Sequence, residues 1–306
     1  FYSPAVKLEA ADGQITAVIC RNDEGEGYTR YRVSKGVVLA TGGYSRNAEL
    51  AMQYDKRVTE SMPSSNVCSS TGDGLALAEA AGAGLRNMEL VQIHPLGDPQ
   101  NGGVATFVGN WLGVEDYVMV NDDAVRFVRE DERRDTIADA ILEQPNDEMW
   151  LLVDSTNIKD DRLEEIADLV AKGHSFKADT IEELAALLDV PADELQKTID
   201  RYNELCDQGT DADFGKKSAY MHKIEKAPFW GVRKHIRVSS IDSGVNTNAN
   251  GQALDADGKV IEGLYCVGNV GGVFYGGADY PFHQTGLSLG RCYTFGMLAA
   301  KHAMGK

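Results

Sequence analysis

Hydrophobic and polar positions alternate with a period of two through most of the first 40 residues, which predicts β-strands. The alternating runs are residues 6–9, 15–21 and 28–33. Asp12-Gly13 separates the first two runs, and an Asp-Gly pair between alternating runs is a strong signal for a β-hairpin. The chain therefore begins with a predicted β-meander.

Two later runs are continuously apolar, short and followed by glycines. Residues 37–39 precede Ala40-Thr41-Gly42-Gly43, and residues 263–267 precede a glycine-rich loop that reaches Gly277. Runs of this kind are typical of strands buried on both faces of a sheet. Helical patterns follow each run, near residues 48–56 and 74–83 and over residues 285–304.

The middle of the chain has a helical period instead, with acidic residues on the outer faces. The predicted helices are residues 136–144, 161–172, 180–188 and 192–206. Thr180 and Glu183 fit a capping box at the start of the third helix. Strand patterns return from residue 236. The organisation predicts one discontinuous domain, residues 1–94 and 236–306, that contains an inserted domain, residues 95–235.

Composition narrows the choice of partners. The 306 residues carry a formal charge of −17, and residues 143–213 alone hold 20 acidic and 6 basic side chains. An acidic chain repels phosphate backbones, so no nucleic-acid partner is expected. No apolar run approaches the roughly 20 residues that span a bilayer, so no membrane span is expected. The five cysteines lack metal-ligand spacing and are interpreted as buried thiols.

Three glycine-rich segments could bring backbone close to a ligand. The first is residues 40–43, the second is residues 71–74 at a helix start, and the third runs from strand 263–267 to Gly286-Leu287-Ser288. Free N–H groups at a helix start can hold an anion or a carbonyl dipole. Tight turns and plain helix caps explain the first two segments equally well. The third, at the carboxyl end of a buried strand, is the best candidate for a ligand site.

Two polar motifs are ambiguous. His94, before a proline, is more often a structural residue than a catalytic one. Arg133 and Arg134 stand among Glu130, Asp131, Glu132 and Asp135, which also fits a solvated cluster of salt bridges.

Taken in order, these motifs resemble the C-terminal part of the fumarate reductase/succinate dehydrogenase flavoprotein superfamily. That superfamily includes soluble fumarate reductases, urocanate reductases and 3-ketosteroid dehydrogenases. The resemblance covers the whole chain. Its most specific stretches are VVLATGGYSRNAEL, TGDGLALAEAAGAGL, QIHP, VRFVREDERRDTIADAIL and GLYCVGNVGG.

The resemblance implies an α/β fold with α+β elements: a partial Rossmann-like FAD-binding domain with an inserted α+β cap domain. It implies FAD as the cofactor. The implied cofactor contacts are Ala40, Thr41, Gly42, Asp73, Asn269, Gly286, Leu287 and Ser288. Asn269 takes the place of an acidic residue that usually holds the ribityl chain, and the last three residues would offer N–H groups to the flavin ring.

The resemblance also implies hydride transfer between flavin N5 and a carbon next to an activating carbonyl. Arg134 falls at the position of the family's proton donor, and His94 matches the reductase pattern. The usual proton-relay positions fall on Asn110 and Gly113, so Glu115 or Glu130 is the expected substitute. Tyr280 and His283 are expected to hydrogen-bond the carbonyl of the substrate.

Departures from the family pattern leave three hypotheses open. Ser239-Ser240 and residues 279–283 replace two usual carboxylate-binding groups, which favours an enone or mono-acid enoate over fumarate. The first hypothesis is an FAD-dependent ene-reductase with a small-molecule substrate and an electron donor. The second is a ketosteroid-type desaturase. The third is a non-catalytic, possibly self-associating portion of a longer flavoprotein, since no G-x-G-x-x-G signature precedes the motifs.

Overall fold

The computed structural model describes residues 2–23, 25–98, 116–157, 167, 170–173, 175–276 and 286–306. Helices and sheets are mixed in it, which confirms the predicted fold class. Within the described residues, no helix is both long enough and apolar enough to cross a bilayer.

The first sheet contains the predicted meander. Its strands are β1 (Ala5–Ala11), β2 (Gln14–Arg21), β3 (Tyr28–Arg32), β4 (Val37–Leu39), β12 (Gln252–Leu254) and β13 (Val260–Cys266). The order is β1-β2-β13-β12, with β3 paired to β2 and β4 to β13. Asp12 and Gly13, at φ 53° and 79°, make the turn between β1 and β2, as the Asp-Gly signal predicts.

The pairing of β4 with β13 brings together two distant parts of the sequence. The strands run parallel, with Val37 opposite Leu264 and Leu39 opposite Cys266. Both strands end at the same edge of the sheet, so the glycine-rich segments that follow them are neighbours. The prediction of burial on both faces holds for Leu39 but not for Val38, which is 42% exposed because β4 pairs with no other described strand besides β13.

The second sheet was not predicted in full. Its strands are β6 (Val91–Gly97), β7 (Val118–Val120), β8 (Glu148–Val153), β9 (Ser175–Ala178) and β10 (Phe229–Ile241). The order is β6-β10-β8-β7, and β9 also pairs with β10. The predicted domain boundaries, 94/95 and 235/236, fall inside β6 and β10, which are hydrogen-bonded to each other.

The remaining elements lie around these sheets. The helices are α1 (Ala48–Tyr54), α2 (Asp73–Ala80), α3 (Arg134–Leu142), α4 (Ile181–Leu188), α5 (Ala192–Gln208) and α6 (Leu287–Ala303). A two-stranded ribbon joins β5 (Leu85–Arg86) to β11 (Gly244–Val245). The Thr180 hydroxyl accepts the Glu183 N–H at 3.1 Å, as the capping box predicts.

Two large apolar cores support the site. One contains residues of both sheets, including Leu39, Ile93 and Leu264. The other packs α4 and α5 against the opposite face of β7 and β8, around Leu184, Ile199 and Trp150. Because one core is continuous beneath the ends of β4, β13 and β6, it fixes the glycine-rich segments relative to His94.

Candidate functional site

The first two glycine-rich segments are in direct contact. A Cβ added to Gly74 would lie 1.8 Å from Thr41 Oγ1 and 2.7 Å from Thr41 Cβ. The Gly72 N–H also donates to the Gly43 carbonyl at 3.2 Å. These contacts place residues 40–43 against the start of α2, so the two motifs form one surface.

The side chains on this surface that were predicted to contact a ligand face solvent. Ala40, Thr41 and Asp73 are all exposed. The Thr71 hydroxyl donates to Asp73 Oδ1 at 2.8 Å and orients the carboxylate at the first turn of α2. The surface can therefore offer both a carboxylate acceptor and open backbone to a ligand.

The third segment joins the same region through Asn269. A Cβ on Gly43 would lie 3.4 Å from the Asn269 carbonyl and 3.0 Å from Ile241 Cβ, so only glycine fits at residue 43 without a shift. The half-buried Asn269 side chain donates to Ser240 Oγ at 3.4 Å. It also accepts a hydrogen bond from the guanidinium of Arg291 on α6.

The helix α6 begins with a glycine cap. Gly286 is the N-cap at φ 81°, and because glycine has no side chain it makes no side-chain hydrogen bond to the first turn. Among the described residues, no atom would lie within 4 Å of a Cβ at Gly286 or at Gly290. Leu287 and Ser288 are half-buried. Gly286 therefore leaves the first-turn N–H groups of α6 without a cap from its own side chain.

His94 and Arg134, 40 positions apart in the sequence, line one small cavity. Its volume is about 10 Å³, the room of about one water molecule, and its walls include Tyr117, Met119 and Ile137. Arg134 is the first residue of α3 and is 8% exposed, whereas the side chain of the neighbouring Arg133 is 61% exposed and pairs with Asp135. The two adjacent arginines thus have different environments, and only Arg134 reaches the cavity.

His94 is surrounded by positive charge. Its Nδ1 accepts the Leu96 N–H at 3.0 Å, which leaves Nε2 as the protonated nitrogen of the neutral ring. Burial lowers the pKa of His94 well below 6.5, and the nearby charges of Arg237, Arg134 and Lys234 lower that pKa further. At neutral pH the ring is a neutral N–H donor among cations.

Arg237 and Lys234 are the residues near His94 that sequence reasoning missed. Arg237 lies across the β6–β10 ladder from His94, and its side chain bonds to Ser65 Oγ. Burial lowers the pKa of Lys234 to about 8, although the nearby charge of Asp98 opposes that shift. The sequence pattern could not predict that Lys234 and Arg237 both lie near His94. Strict alternation along a strand puts residues 234 and 237 on opposite faces, but β10 has a register shift between His235 and Arg237.

Glu130, one of the two predicted relay residues, belongs to a buried ionic cluster. Its carboxylate accepts from Arg126 Nε at 3.0 Å and from Arg126 Nη2 at 2.9 Å, and Lys216 Nζ lies 3.6 Å away. The same Arg126 pairs with Asp211 at 2.9 Å and stacks on Tyr202. The cluster ties the segment before α3 to the segment after α5.

Other predicted residues lie outside the described part of the chain. They are Tyr280, His283, Glu115, Asn110 and Gly113. Among the residues that are described, no group of three or more histidines, cysteines and acids is placed to hold a metal ion.

Comparison with known proteins gives consistent matches. The FAD binding domain family matches residues 1–280. An NADH:acrylate oxidoreductase of Vibrio harveyi is 34% identical over 89% of this chain, and a urocanate reductase of Eggerthella lenta is 32% identical over 88% of it. The matches cover 27% and 44% of those two proteins, so the chain spans less than half of their length.

A solved structure with the same architecture is the open conformation of a flavocytochrome c3 fumarate reductase. It superposes on this chain with a TM-score of 0.76 at 29% identity. The superposition covers 99% of this chain and 52% of the flavocytochrome. The agreement in fold therefore extends over nearly the whole chain.

Proposed function

This chain belongs to the FAD binding domain family, and from that premise we propose that it carries the substrate site and part of the cofactor site of an FAD-dependent enoate reductase. The observation that carries the proposal is the cavity that His94 and Arg134 share. The contacts that join residues 40–43 to the start of α2 and to Asn269 support it. The proposed substrate is a small α,β-unsaturated carboxylate, and the protein would also need an electron donor.

The residues present fit a bound FAD. Ala40, Thr41 and Asp73 are exposed on one surface, and α6 begins at an exposed Gly286 that supplies no side-chain cap. Arg291 Nε and Nη1 are buried and have no hydrogen-bond partner among the described residues, as expected where a ligand completes the site. We propose that these groups, with Gly42, Asn269, Leu287 and Ser288, hold the cofactor.

The flavin, when bound and reduced, supplies a hydride to one carbon of the substrate double bond. In the proposed reaction, Arg134 donates a proton to the other carbon and is then reprotonated. Arg134 is the first residue of α3, and its buried side chain lines the same cavity as His94. His94 would donate its Nε2 proton in a hydrogen bond to the carboxylate, which would orient the double bond.

The charges near His94 favour a carboxylate substrate over a neutral ketone. Three cations lower the pKa of His94: Arg134, Arg237 and Lys234. The nearby charge of Asp98 acts on the pKa of Lys234 in the opposite direction to burial. Buried cations bind a carboxylate more strongly than a carbonyl, because charge-assisted hydrogen bonds are roughly twice as strong as neutral ones. The proposal therefore prefers an enoate reductase to a ketosteroid-type desaturase.

The test uses the natural protein that contains this chain, loaded with FAD and reduced by an artificial donor. We expect turnover of α,β-unsaturated acids and much slower turnover of their esters and of enones. Arg134→Ala should lower kcat by about 10²- to 10⁴-fold. Arg133→Ala is the matched control, because that neighbouring side chain is exposed, and it should leave kcat unchanged.

A second variant tests the substrate class. Arg237→Met should raise KM for the acid and leave KM for the ester unchanged, while Arg233→Met, on the same strand but 43% exposed, should change neither. Full turnover by Arg134→Ala would refute the proton-donor role. Equal turnover of acid and ester would refute the substrate class.

A further inference from the structure

Arg291 carries a buried positive charge that no described acid balances. The residue is 2% exposed and lies on α6, one turn after the start of the helix. Its Nη2 donates to the Ile241 carbonyl at 3.3 Å and to Asn269 Oδ1, both of which are uncharged acceptors. Within the part of the chain that the structure describes, its Nε and Nη1 have no hydrogen-bond partner. Burying a cation in this way is costly unless a ligand supplies the missing negative charge.

The position of Arg291 links two segments that we propose hold the flavin. It bonds directly to Asn269, and it stands four residues after Leu287, on the same face of the helix. Tyr275 packs against the other side of the guanidinium, with its ring centre 4.7 Å from Arg291 Cζ. The side chain is therefore held in place, and its charge is fixed next to both segments.

The residue at position 269 determines whether the charge of Arg291 is neutralised within the protein or remains available to a bound ligand. A carboxylate there would form an ion pair with Arg291 and cancel most of the charge. The amide of Asn269 accepts the hydrogen bond but leaves the charge in place. Two-electron reduction of a flavin with uptake of one proton leaves a negative charge on the ring, and a fixed buried cation nearby stabilises that form.

We propose that Arg291, left uncompensated by Asn269, raises the reduction potential of the bound flavin by stabilising its anionic reduced form. The proposal rests on the proposed function. It assigns Arg291 a role in tuning the cofactor, through charge, that is separate from proton donation by Arg134. It also makes Asn269 the residue that sets the strength of this effect.

The experiment measures the flavin reduction potential of the natural FAD-loaded protein by equilibration with a redox dye. At a fixed potential of the redox dye, Arg291→Met should lower the ratio of reduced to oxidised flavin at least tenfold. For a two-electron couple, that change corresponds to a decrease of about 30 mV in the reduction potential. Arg291→Lys keeps the charge and should stay close to the wild-type potential. Arg201→Met removes a charge from an exposed, distant arginine and is the control.

A second variant keeps the arginine and protects the test against misfolding of Arg291→Met. Asn269→Asp places a carboxylate where the amide already meets Arg291, so it should lower the potential in the same direction. An unchanged potential in this variant would overturn the proposal. So would an equal loss of affinity for oxidised and reduced FAD in Arg291→Met, because that result indicates a contact with the FAD phosphates.

The outcomes also separate this proposal from the proposed function. An FAD-loaded protein that reduces enoates but shows no shift in either variant refutes only the role of Arg291. A protein that shifts as expected but reduces no enoate refutes the proposed function and leaves the role of Arg291 standing.

Discussion

Thr41 fills the space that a side chain at residue 74 would need. The predicted Cβ position at Gly74 is 1.8 Å from Thr41 Oγ1, 2.7 Å from Thr41 Cβ and 2.9 Å from Thr41 Cγ2. Rotation of the threonine relieves the first contact but not the second, because Cβ does not move with χ1. The contact therefore fixes how the segment after β4 meets the start of α2.

Gly74→Ala should destabilise the chain by about 1–3 kcal/mol, because the new methyl group overpacks this contact. The measurement is the free energy of unfolding in urea. Gly296→Ala is the control. No described atom would lie within 4 Å of a methyl group at that helical glycine, and the change should stabilise α6 by about 0.5–1 kcal/mol. The double variant Thr41→Gly/Gly74→Ala should lose less stability than the two single changes added together. Strict additivity would contradict the contact.

Arg126→Met should cost about 3–5 kcal/mol, because it leaves the buried carboxylates of Glu130 and Asp211 without their shared cation. Chemical denaturation of the chain measures the loss. Arg201→Met removes an exposed pair with Glu204 and Asp213 and should cost about 0–1 kcal/mol. Similar losses in the two variants would show that the buried cluster contributes no more than a surface pair.

Asp211 should make stability fall in acid. Burial opposes ionisation of Asp211, but its hydrogen bonds from Arg126 and from backbone N–H groups outweigh burial and lower its pKa from 3.8 to about 2. The folded state therefore releases this proton more readily than the unfolded chain. Its contribution is complete above pH 4 and is lost as the pH falls from about 4 to about 2. Asp211→Asn should lack this part of the pH dependence, and an unchanged acid slope in that variant would contradict the assignment.

His94 should produce a second pH effect, in a higher range. The pKa of folded His94 lies well below 6.5, so the unfolded chain binds more protons below that pH. Stability should therefore rise with increasing pH until about pH 6.5 and gain nothing from this residue above it. His94→Asn keeps an acceptor for the Leu96 N–H and removes the titrating ring. Thermal melts from pH 5 to pH 8 should show a flatter profile for the variant than for His302→Asn, which changes an exposed histidine.

Local patterns predicted the elements that local chemistry determines. The hairpin at Asp12-Gly13, the cap at Thr180 and the existence of a strand at residues 37–39 are confirmed, since each is set by a short run of sequence. Sequence reasoning left the environment of Arg134 open, because its acidic neighbours also fit a solvated cluster and the predicted helix began at residue 136. In the structure, Arg134 precedes Ile137 and Ile141 by three and seven residues, on the buried face of α3.

Other relationships depend on pairing between distant segments. Arg126 and Asp211 meet across 85 positions, and Arg237 reaches His94 only because β10 shifts register against β6. The strands β7, β8 and β9 were interpreted as part of a helical insert, because acidic helices dominate the pattern there. Burial of Arg291 beside Asn269 follows from the docking of α6, which its own sequence does not encode.

The ladder between β6 and β10 has a mechanical consequence. Both chain crossings between the predicted FAD-binding and inserted domains, at residues 94/95 and 235/236, lie within this one hydrogen-bonded pair. Two unpaired segments can act as a hinge that rotates freely. Two strands that are hydrogen-bonded to each other resist sliding and deform mainly by twisting. Movement of the predicted inserted domain toward or away from the cofactor would therefore twist the β6–β10 pair. The resistance to that twist would be set by the ladder hydrogen bonds beside His94 and Arg237.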